Sequence, residues 1–126
     1  MTQNEKELLL KDLCARVPYG VKYMRYSWDY DTDQELPVIE TLECADKDGY
    51  INHRRVYTVD DIKPYLFPLS SMTEEQIKEF NSITQKCSTY IGKSILLTDF
   101  CNKHHIDWRG LIPMGLAIDA TGLNIY

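Results

Sequence analysis

VKYMRYSWDYDTDQELPVIETLECADKDGYINHRRVYTV, residues 21–59, is the stretch that decides the fold. Its β-branched and aromatic residues gather in three runs, 21–28, 37–44 and 50–59, a pattern that predicts three strands of an antiparallel meander. The first link, residues 29–36, reads as an acidic loop. The second contains Asp48-Gly49, which suits the positive φ angles of a tight hairpin. In the middle run Val38, Glu40, Leu42 and Cys44 alternate with Ile39, Thr41 and Glu43, too imperfectly to assign the buried face. Three strands alone leave open edges and a thin core, so helices must cover one face.

The flanking sequence supplies those helices. Thr2 with Glu5 matches a capping box, and Leu9, Leu10, Leu13 and Cys14 then recur at helical spacing, leaving Lys11 and Asp12 mostly outside. Pro18 and Gly20 end this helix. Residues 60–68, with Pro64 and Pro68, read as the crossing from sheet to helices. Thr73 with Gln76 makes a second capping box, followed by an inward stripe of Ile77, Phe80, Ile83, Thr84, Cys87, Tyr90 and Ile91. Gly92 is expected to break that helix and Ser94 to cap a third, with Leu96, Leu97, Phe100 and Cys101 inward. Asp107 caps a short turn, and the apolar tail from Leu116 to Tyr126 docks. The expected architecture is one α+β domain over residues 1–126: an N-terminal helix, a small antiparallel meander of about three strands, then two helices and a short docked C-terminal segment.

Composition narrows the function classes. The 126 residues are 44% hydrophobic and 26% charged, sufficient for a core without metal or disulfide. Fourteen Lys and Arg against nineteen Asp and Glu give a net charge of -5, which counts against a general nucleic-acid or anionic-membrane binder. No apolar stretch approaches the roughly 18 residues that cross a bilayer, and the start shows no secretory signal. Cys14, Cys44, Cys87 and Cys101 are scattered, without a C-x-x-C pair, and read as reduced, mostly buried thiols of a cytoplasmic protein.

Three blocks, KDLCARVPYGVK (11–22), DIKPYLFPLSSMTEEQ (61–76) and HHIDWRGLIPMGLAID (104–119), carry a resemblance. The chain resembles a group of uncharacterised short proteins of Bacteroides-type bacteria and their prophages or mobile elements. The resemblance implies a cytoplasmic accessory protein of a mobile element and transfers no site residue.

Two spacings suggest metal chemistry, and each has a plainer reading. Asp29, Asp31, Asp33 and Glu40 occupy the first, third, fifth and twelfth positions of a calcium loop. Gln34 stands where that loop wants Gly, and its flanks read as strands, so a solvated hairpin loop is the simpler account. Cys101, His104 and His105 share a helical face, but zinc wants four ligands; the simpler account packs Cys101 in the core and leaves the histidines at the helix C-terminus. No metal site, cofactor or catalytic residue is assigned, since no phosphate-cradling loop, G-x-S-x-G elbow or H-E-x-x-H occurs.

The aromatic residues point elsewhere. Tyr23, Tyr26, Trp28 and Tyr30 lie in or beside the first strand, and Tyr50 and Tyr57 flank His53-Arg54-Arg55. Basic residues between aromatics on a sheet suit single-stranded nucleic acid, with bases on the rings and Arg at phosphates. The same rings suit a protein interface. The candidate binding residues are Tyr23, Arg25, Arg54, Arg55 and Tyr57. The expected role is protein–protein interaction or assembly, with self or another protein; the alternatives are a single-stranded nucleic-acid-binding module and, least favoured, an enzyme.

Overall fold

The computed structural model describes the backbone of all 126 residues and every side chain except those of Arg55 and Val56. The Thr2 hydroxyl accepts the Glu5 N–H at 3.1 Å and starts α1 (Gln3–Arg16). This satisfies one of the amides that a helix leaves free in its first turn. Leu9 and Leu13 are buried as expected, but Cys14 is exposed, and Asp12, expected outside, is fully buried. One interaction accounts for both corrections. The Asp12 carboxylate accepts Arg16 Nε at 2.8 Å and Arg109 Nε at 3.1 Å, so the buried stripe becomes Leu9, Asp12, Leu13 and Arg16. Arg16 also donates to the Ile106 carbonyl at 2.7 Å. A charge pair tolerates burial when its remaining donors and acceptors are matched in this way.

Pro18 lies in a single 3-10 turn, and Gly20 turns the chain at φ +68°. β1 (Lys22–Asp29) then pairs antiparallel along its whole length with β2 (Gln34–Thr41). The link expected over 29–36 contracts to residues 30–33, because β2 begins at Gln34 and Asp33 takes the left-handed backbone, φ +53°, that closes the turn. The run 50–59 does not extend this sheet. It folds back at Asn52 and His53, both at positive φ, into a separate ribbon of β3 (Tyr50–Ile51) and β4 (Arg54–Thr58).

The third antiparallel strand is β5 (Ile62–Pro68), which lies on the other side of β1 with Tyr23 opposite Pro64. Prolines marked this segment as a crossing in the sequence, since Pro donates no ladder hydrogen bond. Alternation outweighs them: Ile62, Pro64 and Leu66 are all buried on one face. Beyond Arg25, β5 no longer accompanies β1, so β1 and β2 continue outward as a two-stranded arm.

The Thr73 and Gln76 capping box opens α2 (Glu74–Lys86). α3 (Tyr90–Lys103) begins earlier than expected, capped by Thr89, whose hydroxyl accepts the Gly92 N–H at 3.1 Å. Gly92 therefore sits inside the first turn of α3 and does not break a helix. A Cβ there would meet Cys87 Sγ and Thr89 Oγ1 at 2.7 Å, so the tight α2–α3 connection requires glycine. Tyr90, Ile91 and Leu96 move outward with the shifted connection, and Ile77 and Thr84 of α2 are exposed as well, although all five were expected inside. β6 (Ile106–Asp107) and β7 (Ile118–Asp119) add to β5 in parallel. The Asp107 carboxylate accepts the amides of Leu111 and Ile112, the expected cap.

The tail docks, burying Leu116, Ala117 and Ala120. Tyr126 donates its hydroxyl proton to the Tyr65 carbonyl at 2.7 Å and accepts the Lys22 N–H at 2.9 Å. The Tyr126 ring stacks on His105 at 3.8 Å. The main core joins Leu9 and Leu13 to Val21, Tyr23, Leu42 and Leu66; a smaller one gathers Phe100, Cys101 and Ile106 beneath α2 and α3. Among the described residues no helix is long and apolar enough to cross a membrane.

Removing one partner from a buried pair leaves the other charge uncompensated, so Asp12→Ala is expected to cost about 3–5 kcal/mol in urea unfolding. Lys6→Ala, which breaks the half-exposed Lys6–Asp60 pair, is expected to cost less than about 1 kcal/mol. Equal losses for the two variants would contradict the role given to Asp12.

Candidate functional site

Four of the five sequence-predicted binding residues meet around Glu40, a residue that the sequence offers as the last position of a calcium loop and not as part of this group. Glu40 stands directly opposite Tyr23 in the β1–β2 ladder. Its carboxylate accepts the Tyr23 hydroxyl at 2.6 Å, Arg25 at 2.6 Å and Arg54 at 3.1 Å. Arg25 also donates to the Tyr57 hydroxyl at 3.1 Å and lies 4.6 Å from the centre of its ring. The Arg55 side chain lies outside the described residues.

Asn52 closes the cluster. From its left-handed position in the β3–β4 turn it donates to the Tyr23 hydroxyl and the Thr41 carbonyl, and it accepts the amides of Glu43 and Cys44. The only local signal for this was an Asn in the middle of a strand-like run, since Asn tolerates αL better than most residues.

The electrostatics follow from this crowding. The Arg25 hydrogen bond, with help from Tyr23 and Arg54, holds the Glu40 carboxyl down to about 2. Burial and the bond to Glu40 push the Tyr23 phenol well above its ordinary value, and the same carboxylate raises Arg25. Tyr23 is 1% exposed. Thus the β1 face carrying Tyr23 and Arg25 is the inner one, and its cations are committed to Glu40 and Tyr57. Arg54 remains at the surface, with its side chain 48% exposed. The arrangement fastens the β3–β4 ribbon onto the sheet, and among its described side chains few donors are left free for an anionic ligand.

The two metal candidates take other roles. Asp29 uses its carboxylate within the hairpin turn, accepting the Asp31 N–H at 3.1 Å and the Thr32 hydroxyl at 2.8 Å. Cys101 is buried, which raises its thiol pKa. His104 turns toward Glu79 and Phe100, whereas His105 stacks on Tyr126, so the two rings diverge. Burial is the main cause that lowers His105 to about 4, which keeps the ring neutral near pH 7. Among the described residues no group of three or more His, Cys, Asp or Glu side chains is arranged to hold a metal ion. Cys14 is exposed and Cys44 and Cys87 half-buried, so of the four thiols expected to be mostly buried only Cys101 is.

The outer face of the arm is different. Alternation along β1 and β2 puts Met24 beside Ile39, Tyr26 beside Pro37, and Trp28 beside Glu35 on one side. Tyr26 is 53% exposed, Trp28 47% and Ile39 49%. Tyr30, at the turn, is almost wholly exposed. At the root of the arm this face opens into a cleft of about 460 Å³ floored by Met24, Tyr26 and Leu116.

No protein-family model, curated protein or solved structure matches the chain. Function must therefore be argued from these surfaces.

Because the folded-state pKa of Glu40 lies below its ordinary value of 4.5, the cluster stabilises the fold above that pH and loses its contribution as pH falls toward 2. Urea midpoints measured from pH 7 to pH 2.5 are expected to fall less steeply below pH 4.5 for Glu40→Gln than for the wild type. Parallel curves would show that Glu40 is not held by its arginines.

Proposed function

We propose that the protein is an interaction module that contacts a protein partner through the outer face of the β1–β2 arm. The observation that carries this reading is the exposed ladder of Tyr26 and Trp28 against Pro37 and Ile39, with half-buried Met24 at its root. Large aromatic side chains gathered on one unpartnered face are a feature of contact surfaces, because they bury much area with few rotors. The protrusion of the arm makes that face accessible. A second exposed apolar surface, with Tyr90, Ile91, Ile95 and Leu96 on α3, points to the same class of role.

The nucleic-acid alternative has less support, since Glu40 occupies Arg25 and Arg54, two of the residues that would meet phosphate. No arrangement among the described residues favours an enzyme. A cytoplasmic setting suits four unpaired cysteines, and the role of mobile-element accessory rests on the resemblance of residues 11–22, 61–76 and 104–119.

A photo-crosslinking amino acid at position 28, in cells of the native host, is expected to give a discrete protein adduct absent when the same group replaces exposed Lys11. Tyr26→Ser with Trp28→Ser in the purified chain is expected to change stability by no more than about 1 kcal/mol, as for exposed strand positions, while removing the adduct of a crosslinker placed at position 39. Absence of any adduct at position 28, together with a salt-dependent shift of single-stranded RNA lost in Arg54→Ala, would replace this reading with the nucleic-acid one.

A further inference from the structure

We infer that the segment received by the arm is a short, extended and basic stretch of the partner protein, with one Lys or Arg side chain entering the cleft at the root of the arm. This rests on the interaction reading above and adds the chemistry of the partner. From the Met24–Ile39 pair to the Trp28–Glu35 pair the face runs over four residues of strand, roughly 13 Å, the length of about four residues of extended chain. A segment laid along it meets aromatic and aliphatic surface throughout.

Charge selects the segment. Glu35, Asp60 and Asp61 stand around the cleft, against Lys63 and the amino group of Met1. Asp60 is partly answered by Lys6 at 2.8 Å, and Asp61 accepts the Thr58 N–H at 2.9 Å. Farther out, Asp29, Asp31 and Asp33 continue the negative field to the tip of the arm. Carboxylates therefore outnumber ammonium groups from root to tip, and an acidic segment or a phosphate backbone would be repelled.

The cleft matches a basic side chain in its apolar part as well. Met24 and Leu116 offer surface to an aliphatic stem, and carboxylates lie around the same space for the cationic head. Tyr26 supplies an aromatic face suited to a cation, whereas the Tyr57 ring already has Arg25 against it. Arg25 belongs to the opposite face of β1, where its charge is paired with Glu40 at 2.6 Å.

The test uses the full chain and a fluorescein-labelled octalysine peptide as probe, followed by anisotropy and by amide chemical shifts. Binding at low salt is expected, weakening as ionic strength rises, with shifts gathered on residues 24–39 and 57–63. Glu35→Gln is expected to weaken binding about 3–5-fold, and Tyr26→Leu by a similar factor, as for a surface charge and a surface cation–π contact. Glu75→Gln, the same charge change on exposed α2, is expected to have less than about a 2-fold effect. Equal losses for Glu35→Gln and Glu75→Gln, shifts spread over the whole surface, or equal binding of an octamer of alternating Thr and Val would each overturn the basic partner. Those results would leave a crosslinked adduct at position 28 intact, whereas loss of that adduct would remove the interaction reading itself.

Discussion

The carboxylate of Asp12 facing two guanidinium groups inside the protein is the contact on which the other arrangements depend. Arg16 comes from the same helix, one turn on, and Arg109 from the segment after β6. Arg16 reaches further, to the Ile106 carbonyl, so a single side chain joins the N-terminal helix to the strand that extends β5. Such a group is costly to desolvate and is stable only when every partner is in place. That requirement fixes the rotation of α1, and with it the presentation of Leu9 and Leu13 to Val21 and Leu66.

With α1 fixed, the two sides of the sheet acquire different fates. The side bearing Val21, Tyr23 and Leu42 becomes the core, and its margin is closed by the Glu40 cluster beneath the β3–β4 ribbon. The other side is covered at one end, where Tyr126 lies over Lys22 and hydrogen-bonds to Tyr65. Nothing comparable covers Tyr26 and Trp28, because β5 and the tail both stop short of the arm. The open aromatic face is thus set by where the neighbouring strands end.

What was legible in the sequence was chiefly local. Thr2, Gly20, the Thr73 and Gln76 box and the Asp107 turn are decided within a few residues, and all appear where their side-chain chemistry requires. The α+β class followed from the change of pattern at Val21. Of the residues grouped as a platform, Tyr23, Arg25, Arg54 and Tyr57 lie together in the fold, but the grouping lacked the residue that organises them. Glu40 appeared as one member of an imperfect alternation and as the last position of a calcium loop, and its importance here depends on a register that one sequence does not contain. Asp12 was placed outside because a lone carboxylate belongs in water, and its second partner lies 97 positions away. Pro64 and Pro68 disguised β5 for a related reason: their missing donors matter only once it is known which edges pair with which neighbours. At Gly92 the residue was noticed but the cause was different, since contact with Cys87 and Thr89 demands glycine there within a continuing helix.

The distance in sequence between Arg16 and its acceptor at Ile106 also bears on how the chain reaches its native state. A helix whose inner stripe contains Asp12 and Arg16 is poorly suited to early burial, since neither charge is fully matched until residues 106–109 arrive. β5 waits likewise, its parallel neighbours lying at Ile106 and Ile118. Closing such long loops costs entropy before the contacts compensate it. The N-terminal half therefore gains little by consolidating alone, and folding is tied to the emergence of the last fifth of the chain.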